Sequence, residues 1–288
     1  MRVGWLGLGA MGGPMAACLA RAEHTVSAYD VVPGRTPDGV AGADSVAGAV
    51  ADADAIVVMV ATPDQLDQVL FGGADADGAA AALRAGQVVV IMSTVGPEAL
   101  TAASARLGPA GVAVVDAPVS GGVARAGRGE LLVLVSGEAS AVAGIQPLLD
   151  AVARSAPVVG PSPGDGQRMK LVNQLLCGVH IAAAAEALAF AESMGLDPAA
   201  CWNVLRDGAA ASFMFDDRGA RMVAGEFDDV RSALDIFVKD MGLVTGAAGE
   251  AGAAVPLAGA AGELYQRGHD RGLGRLDDSV LIEVLRDR

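Results

Sequence analysis

The sequence predicts an α/β chain: a doubly wound, mostly parallel sheet in the first half, then an all-helical C-terminal half entered through one long helix. Three observations predict it. Short apolar runs alternate with helical segments up to about residue 135, as βαβ units do. Pro157 to Gly166 holds three prolines and three glycines in ten residues, the strongest linker-like stretch in the chain. From Gln167 to about Met194 good helix formers run without a proline until Gly195-Leu196-Asp197-Pro198 stops them. The domains are therefore expected at 1–162 and 163–288.

Arg2-Val3-Gly4-Trp5-Leu6 reads as a buried strand, followed by Gly7-Leu8-Gly9-Ala10-Met11-Gly12 and an Ala-rich helix through Leu19. Glycines at this spacing allow a tight turn, a close backbone approach to a pyrophosphate, and contact between helix and strand. With 39 glycines in the chain, roughly 0.7 matches arise by chance, so position must support the reading. It does, because Thr25 to Asp30 is a second strand ending in an acid at the distance of an adenosine-ribose ligand. The Asp30 carboxylate favours NAD and would repel a 2′-phosphate, while Arg35 nearby keeps NADP open. This is a Rossmann-type pattern.

Further strands are expected at Ala55 to Val60, Val88 to Met92, Val112 to Val115 and Leu131 to Val135. Ligands of such sheets bind at the carboxyl ends of the strands. That selects Val60-Ala61-Thr62, Ser93-Thr94 and Ser120-Gly121-Gly122. In the last of these, a hydroxyl beside two glycines can present converging N–H donors to a carboxylate.

Of the 288 residues, 52% are hydrophobic and 19% charged, enough for substantial cores, and aromatics make up only 3%. A formal charge of −14 argues against nucleic acid and anionic membranes as partners. Cys18, Cys177 and Cys201 are odd in number and widely spaced, which fits reduced core residues in a cytoplasmic protein and no metal cluster. The uncharged run Val3 to Ala20 could pass for a signal peptide, but its five glycines and Pro14 fit a strand, turn and helix better. No other stretch reads as a membrane span.

Only Lys170 and Lys239 are lysines among 20 Lys and Arg residues. Arginine holds its proton at any accessible pH, whereas a lysine can be tuned to give and take one. Lys170 is thus the first candidate for a catalytic acid/base. On the long helix Gln174 stands one turn beyond it, with Asn173 beside them, and an amide there can hold a substrate oxygen. His180 lies roughly 80° around the helix from Lys170 and reads as a packing residue. Lys239 reads on pattern alone as part of a solvated helix face, and His24 and His269 have no constellation around them.

These motifs together resemble the β-hydroxyacid dehydrogenase family, which includes 3-hydroxyisobutyrate dehydrogenases and tartronate semialdehyde reductases. The resemblance spans nearly the whole chain. It rests on Gly7 to Gly12 with Met15, on Asp116-Ala117-Pro118-Val119-Ser120-Gly121-Gly122, on Gly164-Asp165-Gly166 leading to Lys170, and on Lys239-Asp240. It implies Lys170 as the catalytic residue, Ser120, Gly121 and Gly122 around the substrate carboxylate, and Thr94 and Lys239 near the cofactor. It also implies a helical second domain and a homodimer or homotetramer built largely through helices. Many members carry asparagine four residues after the lysine, where this chain has Gln174. The run Asn173 to Ala187 looks most like the L-threonate dehydrogenase branch, whose members oxidise a four-carbon sugar acid next to its carboxylate.

The expected reaction is reversible hydride transfer between NAD and a small hydroxy acid, with Lys170 moving the hydroxyl proton. Facing a positive nicotinamide, a buried ammonium should release its proton more readily. The alternatives are 3-hydroxyisobutyrate or tartronate semialdehyde as substrate. More remote are an imine reductase, whose members usually lack this lysine, and a non-catalytic dinucleotide-binding module.

Overall fold

Eight strands of the computed structural model, which describes residues 1–73 and 77–286, form one sheet. In chain order the strands are β1 (Arg2–Leu6), β2 (Thr25–Tyr29), β3 (Ala41–Gly42), β4 (Ala55–Val58), β5 (Val88–Ile91), β6 (Ala113–Asp116), β7 (Val119–Ser120), β8 (Leu131–Val133), β9 (Val135–Ser136), β10 (Ala153–Ser155) and β11 (Val158–Gly160). The large sheet runs β11-β9-β6-β5-β4-β1-β2-β3, and a small one runs β10-β8-β7. Pairing in the large sheet is parallel except where β6 meets β9 at Asp116 and Ser136. The chain reverses its direction of winding at β1, which sits between β2 and β4, and this leaves a crevice at the carboxyl ends there.

The helices of this half are α1 (Gly12–Arg21), α2 (Val46–Val50), α3 (Pro63–Phe71), α4 (Pro97–Leu107), α5 (Gly122–Arg128), α6 (Ala139–Gly144) and α7 (Gln146–Val152). Alternate strand residues feed two cores, because side chains of a strand alternate between its faces. Trp5, Val57, Val90 and Val115 pack with Met15, Leu19 and Leu148. Leu6, Ile56, Val58, Val89, Ile91 and Val114 pack with Leu66, Leu70, Leu100 and Leu107. Each such side chain removed from water contributes about 1.5–3 kcal/mol before the entropic cost. Burial on both faces explains why β4 reads as an unbroken Ala-Ile-Val-Val run.

Strand and helix boundaries fall within two residues of those read from the sequence, with two corrections. Leu131 to Val135 is two strands: β8 pairs with β7 and β10, whereas β9 pairs with β6 and β11. Between them Leu134 donates its N–H to Pro118 O at 2.9 Å. An apolar run signals a strand but not its partners, so the change of sheet was invisible. The Pro157 to Gly166 segment is not only a linker, since β11 lies inside it as the edge of the large sheet.

The long helix α8 (Asp165–Ser193) follows. By length and composition it could cross a membrane, a property the sequence reading missed, but Ile181, Ala184, Ala185 and Leu188 on it are buried in a protein core. The chain divides into two compact units at Lys170, the first covering Met1–Lys170 and the second Leu171–Arg288.

The second unit comprises the rest of α8 with α9 (Pro198–Leu205), α10 (Phe213–Ala224), α11 (Leu234–Glu250), α12 (Pro256–Asp270) and α13 (Leu281–Arg286). Its core gathers Leu188, Phe215, Met222, Phe237, Met241, Tyr265 and Leu281. Phe237 stacks on Tyr265 at 5.2 Å between ring centroids, and the Tyr265 hydroxyl donates to Gly178 O at 3.0 Å. At Gly178 a Cβ would stand 2.6 Å from Met241 Cε, so α11 approaches α8 where α8 has no side chain.

A buried ionic cluster ties the end of the chain to α10. Arg218 holds Asp278 through two bonds of 3.1 and 3.0 Å, Arg221 holds Asp277, and both arginines reach Asp217 at 2.7 Å. Burial pushes the Asp278 carboxyl above its ordinary range, against the downward pull of Arg218. Losing one member of such a cluster costs about 3–5 kcal/mol, because a charge is left buried without its partner.

Candidate active site

The glycine turn joins β1 to α1, and its three glycines meet three different demands. Gly7 has φ +99°, and a Cβ there would lie 2.3 Å from Met59 O. At Gly12 a Cβ would lie 2.1 Å from Gly7 O. Gly9 meets nothing within 4 Å, so its bare backbone faces open space. The tight turn, the approachable backbone and the helix-to-strand contact that a dinucleotide cradle needs are thus each supplied by one glycine. Beneath them buried Trp5 donates Nε1–H to Gly7 O at 2.8 Å.

Asp30 stands directly after β2 and is drawn into this turn. Its carboxylate accepts Leu8 N–H at 2.7 Å and Val32 N–H at 2.8 Å, and Arg35 lies 3.4 Å away. The sequence suggests Asp30 as a ribose ligand; what the structure adds is that its carboxylate braces the turn. Two oxygens with about four lone-pair sites can do both. A cleft of about 500 Å³ opens alongside, lined by Leu8, Gly9, Ala10, Pro14, Arg35 and Pro37. Its size and its open backbone at Gly9 suit a nucleotide, and Arg35, which reaches Asp30, adds a cation to its wall.

At the carboxyl ends of β4 and β5, Val60 donates its N–H to Ser93 Oγ at 2.8 Å, and Ala61 donates to Gln65 Oε1 at 2.9 Å. Half-buried Thr94 follows Ser93. Met11 stands at the N-terminus of α1, and Ala10 is exposed just before it. In the loop after β6, Ser120 ends β7, and Gly121 and Gly122 take φ of +140° and +76°. A Cβ on Gly122 would meet nothing within 4 Å, so its backbone too is approachable.

Lys170 lies in the second turn of α8 with only 5% of its surface exposed, and it belongs to the first unit, with the glycine turn. Asn173, Gln174 and Lys239 belong to the second. There Asn173 Nδ2–H donates to Gln174 Oε1 at 2.8 Å, Gln174 Nε2–H donates to Asp240 Oδ2, and Lys239 Nζ lies 2.9 Å from Asp240 Oδ1. Lys239 is therefore not the solvated helix residue that its pattern suggested. Asp240, 1% exposed, is the partner that sequence reasoning left without a role, although it sits in the Lys239-Asp240 pair.

Two more residues were missed, Asp116 and Gln167, both 0% exposed. Asp116 accepts from Gln167 Nε2 at 2.8 Å, Gln167 N at 2.9 Å and Gly164 N at 3.0 Å. Burial pushes its carboxyl up, opposed by the hydrogen bonds from Gln167, Gly164 and Ser136. The only sequence signal was Asp116 opening the Asp-Ala-Pro-Val-Ser-Gly-Gly motif.

Residues 2–160 match the NAD binding domain of 6-phosphogluconate dehydrogenase, and residues 164–285 match the NAD-binding domain of NADP-dependent 3-hydroxyisobutyrate dehydrogenase. The chain is 39% identical over 286 residues to L-threonate dehydrogenase of Cupriavidus necator, covering 98% of this chain and 95% of that one. It is 33% identical to 2-hydroxy-3-oxopropionate reductase of Escherichia coli, over 99% of this chain and 97% of the other. Among solved structures, 3-hydroxyisobutyrate dehydrogenase of Salmonella typhimurium superposes with a TM-score of 0.91 at 35% identity, covering 99% of both chains. With a glycine turn built for a dinucleotide and matches spanning both halves, the chain belongs to the β-hydroxyacid dehydrogenase family of NAD(P)-binding oxidoreductases that act on CH–OH groups.

Proposed function

We propose that the protein uses NAD to oxidise a small hydroxy acid next to its carboxylate, with a four-carbon sugar acid such as L-threonate as substrate, in a reversible reaction. The observation that carries the reading is the buried Lys170, in the same unit as the glycine turn and in a chain alike end to end to L-threonate dehydrogenases. A bound NAD would supply the hydride acceptor. Gly7, Leu8, Gly9, Ala10, Met11 and Gly12 hold its pyrophosphate, Asp30 its ribose, and Val60, Ala61, Thr94 and Lys239 the remainder. The backbone at Ser120, Gly121 and Gly122 holds the substrate carboxylate, and Asn173 and Gln174 hold its hydroxyls. Lys170 Nζ takes the hydroxyl proton during oxidation and returns it during reduction. The same lysine weighs against the imine reductase reading.

The test is reduction of NAD and of NADP at alkaline pH with L-threonate, D-erythronate, D-glycerate, L-serine and 3-hydroxyisobutyrate. The expected result is a kcat/KM for L-threonate at least about tenfold above that for 3-hydroxyisobutyrate, the worth of one or two specific hydrogen bonds. Equal turnover of the two would remove the sugar-acid reading, and a preference for NADP would show that Arg35 outweighs Asp30.

The homo-oligomer and the cytoplasmic location belong to the same reading. Val172, Leu176 and Phe190 on α8, with Met194 just after it, are each about half exposed, at 59%, 49%, 59% and 53%, which gives a second copy an apolar surface to cover. Light scattering on the purified protein should return a dimer or tetramer that Leu176→Glu weakens; a monomer at micromolar concentration would refute it.

A further inference from the structure

A closed hydrogen-bond network at the carboxyl ends of the first unit's strands has no part in the reaction as described. Its hub is Gln167, whose amide uses its whole bonding capacity. Oε1 accepts Val95 N–H at 2.9 Å and Gly96 N–H at 3.0 Å, while Nε2 donates to Ser93 O at 3.0 Å and Asp116 Oδ1 at 2.8 Å. A primary amide has two acceptor sites and two donors, and all four are taken. Only one orientation of the amide satisfies them, because flipping it would set donors against two N–H groups and an acceptor against a carboxylate.

From this hub the network extends in two directions. Ser93, whose carbonyl Gln167 holds, takes the N–H of Val60 on its own hydroxyl at 2.8 Å. Asp116 Oδ2 accepts Gly164 N and Gln167 N, and Ser136 Oγ accepts Gly166 N at 2.8 Å while contacting the same oxygen at 3.3 Å. These N–H groups lead into α8, where a helix start leaves donors without intrahelical partners. Gly166 sits so close that a Cβ would lie 2.6 Å from Leu134 O and 2.8 Å from Asp116 Oδ2.

We infer that Gln167 and Asp116 are positioning residues, which lock the first turn of α8 to the β4, β5 and β6 ends so that Lys170 points at one fixed place. Lys170 follows Gln167 by three residues, less than one turn, and one residue of slip at the helix start would swing it by roughly 100°. A fully buried carboxylate is an expensive way to fill space, and apolar side chains would fill it at lower cost. What the polar network adds is a single register, since no neighbouring register satisfies every donor. The inference rests on Lys170 being the acid/base.

The test measures Gln167→Glu and Asp116→Asn, alone and combined with Lys170→Ala. Gln167→Glu keeps the two acceptors for Val95 and Gly96 but sets a charge against Asp116 and Ser93 O. Asp116→Asn turns one donor pair face to face. Each single variant should lower kcat roughly a hundredfold, the scale of a misplacement of about 1 Å, with the affinity for NADH, read by tryptophan quenching, within about threefold. In the Lys170→Ala background neither should cost anything further, because a residue acting through Lys170 has nothing left to position.

Ser136→Ala, which removes the hydroxyl's bonds to Gly166 N–H and Asp116 Oδ2 but no charge, keeps the test open should the other two fold poorly. It should cost roughly fivefold, again only when Lys170 is present. Losses that multiply with Lys170→Ala, an NADH affinity that falls in step with kcat, or unchanged turnover would each overturn the inference. A near-normal rate for Lys170→Ala by itself would instead overturn the assignment of the acid/base.

Discussion

Lys170→Arg is expected to keep the fold and cofactor affinity and to lower kcat by about 10²–10⁴-fold, the usual worth of a placed general acid/base. The substitution keeps the positive charge, so any function Lys170 served as a fixed cation would survive it. What it removes is the neutral state, because a guanidinium does not give up its proton in a protein. Oxidation needs a base that accepts the hydroxyl proton, and arginine cannot offer one. Lys170→Ala should fall about as far, since both variants lack the same step. Turnover is compared with NADH affinity measured on the same samples. An arginine variant within a few-fold of the wild-type rate would show that the charge, and not proton transfer, is what the site requires.

Gly12→Ala should abolish cofactor binding and lower the melting temperature, whereas Gly9→Ala should leave the fold intact and weaken the cofactor alone. At Gly12 the added Cβ would stand 2.1 Å from Gly7 O, more than 1 Å inside contact distance. Gly7 cannot retreat easily, because its carbonyl also takes the Trp5 indole bond and its own Cα faces Met59 O. Overpacking of this kind costs about 1–3 kcal/mol, and the turn that would cradle the pyrophosphate is what moves. At Gly9 the Cβ meets no protein atom within 4 Å, so only a ligand can object to it. Calorimetry with NADH titration separates the two: roughly a tenfold or greater loss of affinity at Gly9 with an unchanged melting temperature is expected. Full affinity in Gly9→Ala would take the pyrophosphate away from this turn.

The sequence made the glycine turn legible because its demands are local. Gly7, Gly9 and Gly12 lie within six residues between a strand and a helix, so spacing alone states the geometry. The same holds for α8, whose start, length and stop are written in neighbouring residues. What stayed hidden was assembled across long separations. Asp116 meets Gln167 from 51 residues away and Arg218 meets Asp278 from 60, and no periodicity links such pairs. Strands of two or three residues, such as β3, β7 and β9, were likewise too short to carry an alternation that could be seen. Lys239 shows the middle case, in which a residue was noticed for its rarity and paired with Asp240 in a motif, while the ion pair between them went unread.

The ionic cluster on α10 also sets an order of events during synthesis. A chain leaves the ribosome from its N-terminus and tends to fold unit by unit as it emerges. The first unit has all its strands and the start of α8 in hand once residue 170 has been made. The second waits much longer. Arg218 is made 60 residues before Asp278 and Arg221 56 residues before Asp277, the carboxylates that neutralise them inside the protein. Until those two carboxylates arrive, burying α10 would strand two guanidinium groups with Asp217 as their shared counterion. The core around α10 therefore closes only after the segment that carries Asp277 and Asp278 has followed it out of the ribosome.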